Sequence, residues 1–476
     1  MAMANRIILS FQSFPSRSST LLVLLAVFVL VPAGGAQAVS EESSAHSSWA
    51  YSAIATGSEG HPKTSNGEPR WPTIHDYKQQ DFKHWADTGF TLKHIAKAAS
   101  IGMRTYRFQI LDGRLYSKDR LDKFVHYTNR GPSRIWYWLW GLLELLESPL
   151  GKDIPNVDIV MNSQDDPQMP KKKKVPKNPA LKREYDKVGD YVPGDMEKAP
   201  PPIFSPAQHG DGSYDIPWPL WTIWGEDVPG ASAKSGGFAD PPWTKLFQTI
   251  TNAAHGAPFE ARRSRKAFWR GSAKTSPVRR TLIACPQRKF IDAQTVEHKL
   301  HVGKPTSAVG RAQHRYVMYM DGKTFSGGLM PMIPTGALLL MSSTVWRTVY
   351  SRPFYDLGAF MKVMHTPNKQ QMCGNVSAAV SWAEDHPKEA EKMAARNLVW
   401  ATKALAYGEF QKYMVEYLKE WHKHQRFDME LVQKGSSSFV KYTSHKGYER
   451  HNKAGQFKLG KALTWSVVKR NVRRKA

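Results

Sequence analysis

The order of apolar and polar positions predicts most of the elements of this chain. Between Thr91 and Ile101 the apolar residues Leu92, Ile95, Ala96 and Ala99 recur at helical spacing and stop at Gly102. Arg104 to Tyr116 alternates instead, and Asp112-Gly113 near its end signals a hairpin turn. Trp136 to Leu146 predicts an aromatic-rich helix, and Val157 to Met161 a buried strand. Beyond a helix around Leu246 the two periods take turns: strand Lys266 to Trp269, helix Val278 to Ala284, strand Arg315 to Met320, helix Gly328 to Thr335, strand Ala337 to Met341. Such alternation predicts βαβ units around parallel sheets. Ala378 to His424 reads as almost wholly helical.

Other segments lack this patterning. Val39 to Pro69 is rich in Ser, Gly, Ala and His and predicts a flexible stem. Ahead of it, Arg6 and Arg17 precede the apolar run Leu21 to Val31, then Pro32 and Ala36-Gln37-Ala38, the pattern of a secretory signal. The run is shorter than the ~20 residues that span a bilayer, and an uncleaved anchor is the alternative. Lys171 to Pro202 is charged and proline-rich and predicts a surface insertion; the tail after Gln433 is basic and weakly patterned.

Composition changes the picture in three ways. With 476 residues, 41% of them apolar, the chain has material for two or three cores and is no disordered polymer. Its 67 Lys+Arg against 41 Asp+Glu, a net charge of +26, attract polyanions without choosing among nucleotide phosphates, acidic glycans, membranes and nucleic acid. Only Cys285 and Cys373 are present, which excludes a cysteine-rich zinc module and leaves their pairing open, and one sequon, Asn375-Val376-Ser377, fits a luminal setting.

Four stretches carry candidate chemistry. In a parallel sheet, ligands bind beyond the carboxyl ends of the strands. The strand ending at Met161 runs into Asn162, Gln164, Asp165, Asp166 and Pro167, so two carboxylates are delivered to such a crevice; a plain Asp-Pro turn is the alternative. Phe268 to Arg280 ends a strand in a Gly-Ser turn, gathers hydroxyls and cations, and restarts as a helix at Ser276-Pro277, a composition that suits a diphosphate although neither a Walker nor a GxGxxG spacing is present. Tyr316 to Leu329 repeats the plan, with Gly322, Gly327 and Gly328 permitting close backbone approach. Pro202 to Trp221 brings Ser205, Asp215, Trp218 and Trp221, aromatics that either stack on a sugar or base or fill a core.

In this order the four stretches resemble glycosyltransferase family 90, the group of capsule-associated proteins and protein O-glucosyltransferases. Asn162-Ser-Gln-Asp165-Asp-Pro-Gln168 resembles the family's NxRDxPQ segment, with Gln164 where the family has arginine. Pro202-Ile-Phe-Ser205 with Asp215 to Trp224, Phe268 to Arg279, His314 to Gly322 and Tyr106 to Tyr116 resemble four further family segments, and the likeness extends over roughly Trp71 to His422. Ser326-Gly-Gly-Leu-Met-Pro331 stands where animal members carry a basic segment.

The resemblance implies an α/β, GT-B-like fold: two Rossmann-like domains facing across a cleft, with a helical C-terminal segment. The implied organisation is a signal or anchor over 1–38, a stem over 39–70, an acceptor-side domain over 71–255 carrying the basic insertion 171–202, a nucleotide-sugar domain over 256–400, C-terminal helices over 401–432 and a basic tail over 433–476. The implied activity is inverting, metal-independent transfer of glucose or xylose from a UDP-sugar to a hydroxyl of a protein or polysaccharide acceptor, in the lumen of the endoplasmic reticulum or Golgi, by a monomer that needs no cofactor besides the donor. Asp165 takes the place of the catalytic base; Ser205, Arg270, Gly271, Ser272, Lys274, Thr275, Arg279, Gly322 and Ser326 that of the nucleotide-sugar site; and Asp166, Asp215, Trp218 and Trp221 that of the acceptor and sugar contacts. Two other classes compete. A non-catalytic glycan- or nucleotide-binding relative is favoured by the missing basic segment. A nucleic-acid-binding protein is suggested by the charge, but the signal opposes it and no RNP, zinc or helix-turn-helix pattern occurs.

Overall fold

A computed structural model describes residues 70–101, 104–117, 134–169, 199–225, 228, 241–262, 264–286, 289–296, 306–342, 344–434, 437–444 and 456–458. The predicted signal, the predicted stem up to residue 69 and most of the predicted insertion lie outside them. No helix among the described residues is long and apolar enough to cross a membrane.

The chain enters through α1 (Lys78–Phe82) and α2 (Leu92–Ser100), the latter opened by a reciprocal cap between Thr91 and His94. The hairpin of β1 (Thr105–Leu111) and β2 (Arg114–Ser117) turns on Asp112 and Gly113, both at positive φ (49° and 69°), the geometry for which an Asp-Gly pair is suited. The aromatic helix α3 (Arg134–Glu147) buries Ile135 to Leu139 and Leu142, Leu143 and Leu145, and leads to β3 (Val157–Asn162), buried along its whole length. After the insertion come three two-residue strands, β4 (Phe204–Ser205), β5 (Gln208–His209) and β6 (Ile216–Pro217), then α4 (Trp243–His255). Strands β1, β2, β3, β4 and β6 form one sheet in the order β2-β1-β3-β4-β6, antiparallel at the hairpin side and parallel from β3 to β6.

The second half is β7 (Ser264–Gly271), α5 (Pro277–Ile283), β8 (Ile291–Thr295), α6 (Ala308–Arg311), β9 (His314–Tyr319), α7 (Leu329–Met332), β10 (Leu338–Ser342), β11 (Trp346–Arg347), α8 (Ser351–Leu357) and β12 (Met361–Val363); the periodicity predicts β7, α5, β9, α7 and β10 of these, and β8, α6, β11, α8 and β12 are additions to it. Its sheet is parallel throughout, in the order β12-β10-β9-β7-β8. The first strand, β7, therefore has β8 on one side and β9 on the other. The chain reverses its direction of winding there, and such a switch point leaves a crevice beyond the carboxyl ends of the two inner strands. Strand β11 leaves this sheet and pairs antiparallel with β5 of the first half, Trp346 opposite His209.

Three helices follow, α9 (Lys369–Asp385), α10 (Pro387–Ala404) and α11 (Tyr407–His424). Helix α11 packs on the first sheet: Trp421 is fully buried, stacks on Phe204 at 4.7 Å, and donates its indole N–H to the Asp158 carbonyl at 2.9 Å. Burying side chains of that size contributes roughly 2–3 kcal/mol each. One contiguous core joins the first sheet to one face of the second, while the opposite face of the second sheet has its own core under α5 and α9. Cys285 and Cys373 form a disulfide that ties the end of α5 to α9.

Within the segment read as a weakly patterned tail, β14 (Ser437–Ser444) and β15 (Gln456–Lys458) are strands and form a small sheet with β13 (Phe427–Lys434); the other residues after Lys434 lie outside the described ones. Its charges alternate with apolar residues that turn inward, Val440 and Tyr442 in β14, and this alternation is what the net basicity concealed. Tyr442 donates its hydroxyl to Asp158 Oδ2 at 2.9 Å, and that fully buried carboxylate also holds Arg107 through Nε at 2.7 Å.

Candidate active site

The loop after β3 is built from beneath by buried polar groups. Asn162, the last residue of β3, accepts from the Gln164 N–H at 2.9 Å and donates to the Asp166 carbonyl at 2.9 Å, so the chain reverses sharply as it leaves the sheet. Asp215 completes the support: its carboxylate accepts from the backbone N–H groups of Gln168 and Met169, both at 2.8 Å, and from the Ser205 hydroxyl at 2.5 Å. Ser205 and Asp215 are fully buried, and burial pushes the Asp215 carboxyl up to about 6. They lie under the loop rather than at its surface. Trp218 and Trp221 are nearly as buried, Trp218 against Phe204 at 4.5 Å.

On top of this support Asp165 stays accessible, its side chain 44% exposed. Arg134, the first residue of α3, grips it with both nitrogens, Nη1 to Oδ1 at 2.7 Å and Nη2 to Oδ2 at 3.1 Å. The same guanidinium donates to the Ser163 carbonyl and lies 4.0 Å over the Trp221 ring. Bidentate pairing with stacking fixes a carboxylate in one orientation, which lysine could not do. Gln164, the neighbour in sequence, plays no part in this grip; a cation from a helix start 31 residues upstream provides it.

Across the gap, the loop after β7 and the loop after β9 close on each other at the switch point. Arg279 of α5 is buried beneath them and donates to the carbonyl of Ser272 at 3.2 Å, the hydroxyl of Thr275 at 2.8 Å and the carbonyl of Met320 at 2.7 Å; desolvation lowers its pKa. Gly322 lies so close that a Cβ there would stand 3.4 Å from Thr275 Oγ1 and 3.6 Å from Arg279 Nη2. Ser326 donates its backbone N–H to the Tyr319 hydroxyl, which in turn donates to Asp321. Ser272, Thr275, Arg279, Gly322 and Ser326 thus belong to one pair of loops, with Lys274 exposed on the outside. Arg270 turns away: it binds Asp292 of β8 at 2.9 Å and stacks over Phe268, while Gly271 ends β7 against the Trp269 ring.

Between these loops and the end of β10 lies a hollow of about 270 Å³, lined by Ser276, Val278, Asp321, Gly322, Ser342, Thr344, Trp346 and His365 among others. Burial raises the pKa of Asp321. A larger hollow of about 480 Å³ at Arg70, His75, Asp76, Tyr77, Lys78 and Asp356 shares no residue with the loops and touches none of the candidate chemistry. The smaller one sits where an α/β sheet binds its ligand.

Three contacts bring the halves together around it. Lys323, next to Gly322, reaches Asp166 at 3.7 Å. Gly327 approaches Leu220, to whose Cδ1 a Cβ would stand at 3.8 Å. Trp346, a wall of the hollow, packs edge-on against His209 at 5.0 Å. The carboxylate loop and the switch-point loops therefore border one cleft.

A profile of the glycosyl transferase family 90 matches residues 67–454, most of the chain and all of the loops described above. The chain belongs to glycosyltransferase family 90. No curated protein matches it. Three residues of this family member's candidate site escaped the sequence reading. Lys323 had a signal, since it adjoins a Gly-rich turn already singled out. Arg134 and Trp346 had none, because only the packing of α3 and the β5–β11 pairing bring them to the cleft.

Proposed function

We propose that this family member is an inverting, GT-B-like transferase that moves glucose or xylose from a UDP-sugar to a hydroxyl of a protein or glycan acceptor, with Asp165 as general base. The observation that carries this reading is the accessible carboxylate, held by Arg134 at the carboxyl end of β3, whose neighbour Asp166 is ion-paired to the loop at the switch point of the facing sheet. The disulfide fits the oxidising lumen of the secretory pathway.

In this reaction the acceptor oxygen attacks the anomeric carbon as its proton passes to Asp165, and the bond from that carbon to the diphosphate oxygen breaks on the opposite face, so the configuration inverts. The diphosphate leaves with the electron pair. The nucleoside occupies the hollow beside Trp346, whose indole offers a face for stacking, and the phosphates lie along Ser272 to Thr275 and Gly322. Arg279 acts from below by keeping those two loops in register.

The test is a panel of UDP-sugars against the full chain, read by thermal shift and then by donor hydrolysis and transfer. General base catalysis contributes about 10²–10⁴-fold, so Asp165→Asn is expected to lose at least about 100-fold in turnover while UDP affinity stays within about threefold. Wild-type turnover in that variant removes Asp165 from the mechanism.

A further inference from the structure

Two arginines stood out from the sequence as anchors for a diphosphate, and both are engaged within the fold. Arg270 is held by Asp292 and by the carbonyls of Trp269 and Asp292, and Arg279 by two carbonyls and a hydroxyl beneath the loops. Their charge is directed into the protein, where it supports backbone. Lys323 differs. It follows Gly322 directly on the rim of the hollow, its side chain is 58% exposed, and its ammonium crosses the cleft to Asp166 at 3.7 Å.

We propose that Lys323 is the cation that binds the donor's diphosphate, and that Asp166 is an exchangeable counter-ion holding Lys323 across the cleft until the phosphates displace it. The inference rests on the nucleotide-sugar reading above. Two considerations support it. An ion pair this exposed contributes little to stability, so an incoming dianion draws Lys323 away at small cost. A lysine is a compact charge on a flexible stem, suited to changing partners, unlike the forked grip of Arg134 on Asp165.

Competition gives the two partners opposite signs in a binding experiment. UDP, UMP and uridine are titrated calorimetrically into the full chain at two salt concentrations. One charge-assisted contact to phosphate corresponds to about tenfold or more in affinity, so Lys323→Met is expected to reduce the preference for UDP over uridine about tenfold with uridine affinity unchanged, and Lys323→Arg to retain it within about threefold. Asp166→Asn, which releases Lys323, is expected to tighten UDP about two- to fivefold, more at low salt. An unchanged UDP-to-uridine ratio in Lys323→Met, or weaker UDP binding in Asp166→Asn, overturns the proposal while leaving the nucleotide-sugar reading in place. Absence of UDP binding by the wild-type chain overturns that reading and this inference with it.

Discussion

Replacing Asp215 by alanine isolates what the buried support contributes to the loop that carries Asp165. The substitution leaves the N–H groups of Gln168 and Met169 and the Ser205 hydroxyl without their shared acceptor. A buried donor so orphaned costs about 1–3 kcal/mol, or roughly 3–9 kcal/mol for the three. Against this stands the relief of a buried charge. The Asp215 carboxyl is pushed from 3.8 to about 6 by burial, so in the fold its ionised form is disfavoured against its protonated form by about 3 kcal/mol more than in the unfolded chain. At pH 7 the net loss is therefore centred near ~3 kcal/mol.

The pH dependence gives the sharper test. Because the folded pKa is raised, the protonated carboxyl adds stability that is fully present below about 3.8 and lost as pH rises through about 6. Between pH 7 and pH 5 the wild-type protein gains on the order of 1 kcal/mol from this group, and the alanine variant does not. Thermal or urea unfolding at both values should thus find the gap between the two proteins wider at pH 5. Turnover should fall with the loosened loop, while UDP affinity, which the proposed function assigns to the facing sheet, stays within about threefold. A gap independent of pH, or equal stability of the two proteins, refutes the assignment of Asp215 as the support.

Three further outcomes follow from the same geometry. Arg134→Met frees the Asp165 carboxylate and is expected to lower turnover about 10–100-fold with UDP affinity nearly unchanged, and Arg134→Lys to recover part of it; an equal loss in UDP affinity places Arg134 in donor binding instead. Tyr442→Phe removes the hydroxyl bonded to Asp158 and is expected to destabilise by about 1–2 kcal/mol in urea unfolding, whereas a neutral result denies the C-terminal sheet a role in clamping β3. Replacing Cys285 and Cys373 together by serine opens a link between residues 88 positions apart and is expected to cost up to about 4.5 kcal/mol; an unchanged midpoint between oxidised and serine forms shows that the link adds no stability.

How much of this was legible differs from element to element. The hairpin at Asp112-Gly113 and the elements β7, α5, β9, α7 and β10 were readable because their signals are local: a turn that needs two positive-φ residues, and apolar spacing that changes from one period to the other. Strands of two or three residues, β4, β6 and β12, carry too few side chains for a period to register, and they owe their existence to neighbours already in place. In the tail, Val440 and Tyr442 of β14 alternate with the exposed Lys441 and Thr443, a run too short to register within a basic, weakly patterned segment.

The same division runs through the site. Local composition alone determined that a strand ends in two carboxylates and that two Gly-bearing, hydroxyl-rich loops follow two parallel strands, because the side-chain period and the turn residues are properties of adjacent positions. Tertiary structure decided the rest: that Arg270 serves β8, that Arg134 rather than Gln164's position supplies Asp165's partner, that Ser205 and Asp215 lie under the loop, and that Lys323 meets Asp166. Charges act through space, and which ones meet depends on contacts between residues tens to hundreds of positions apart, a relation that no window along the chain contains.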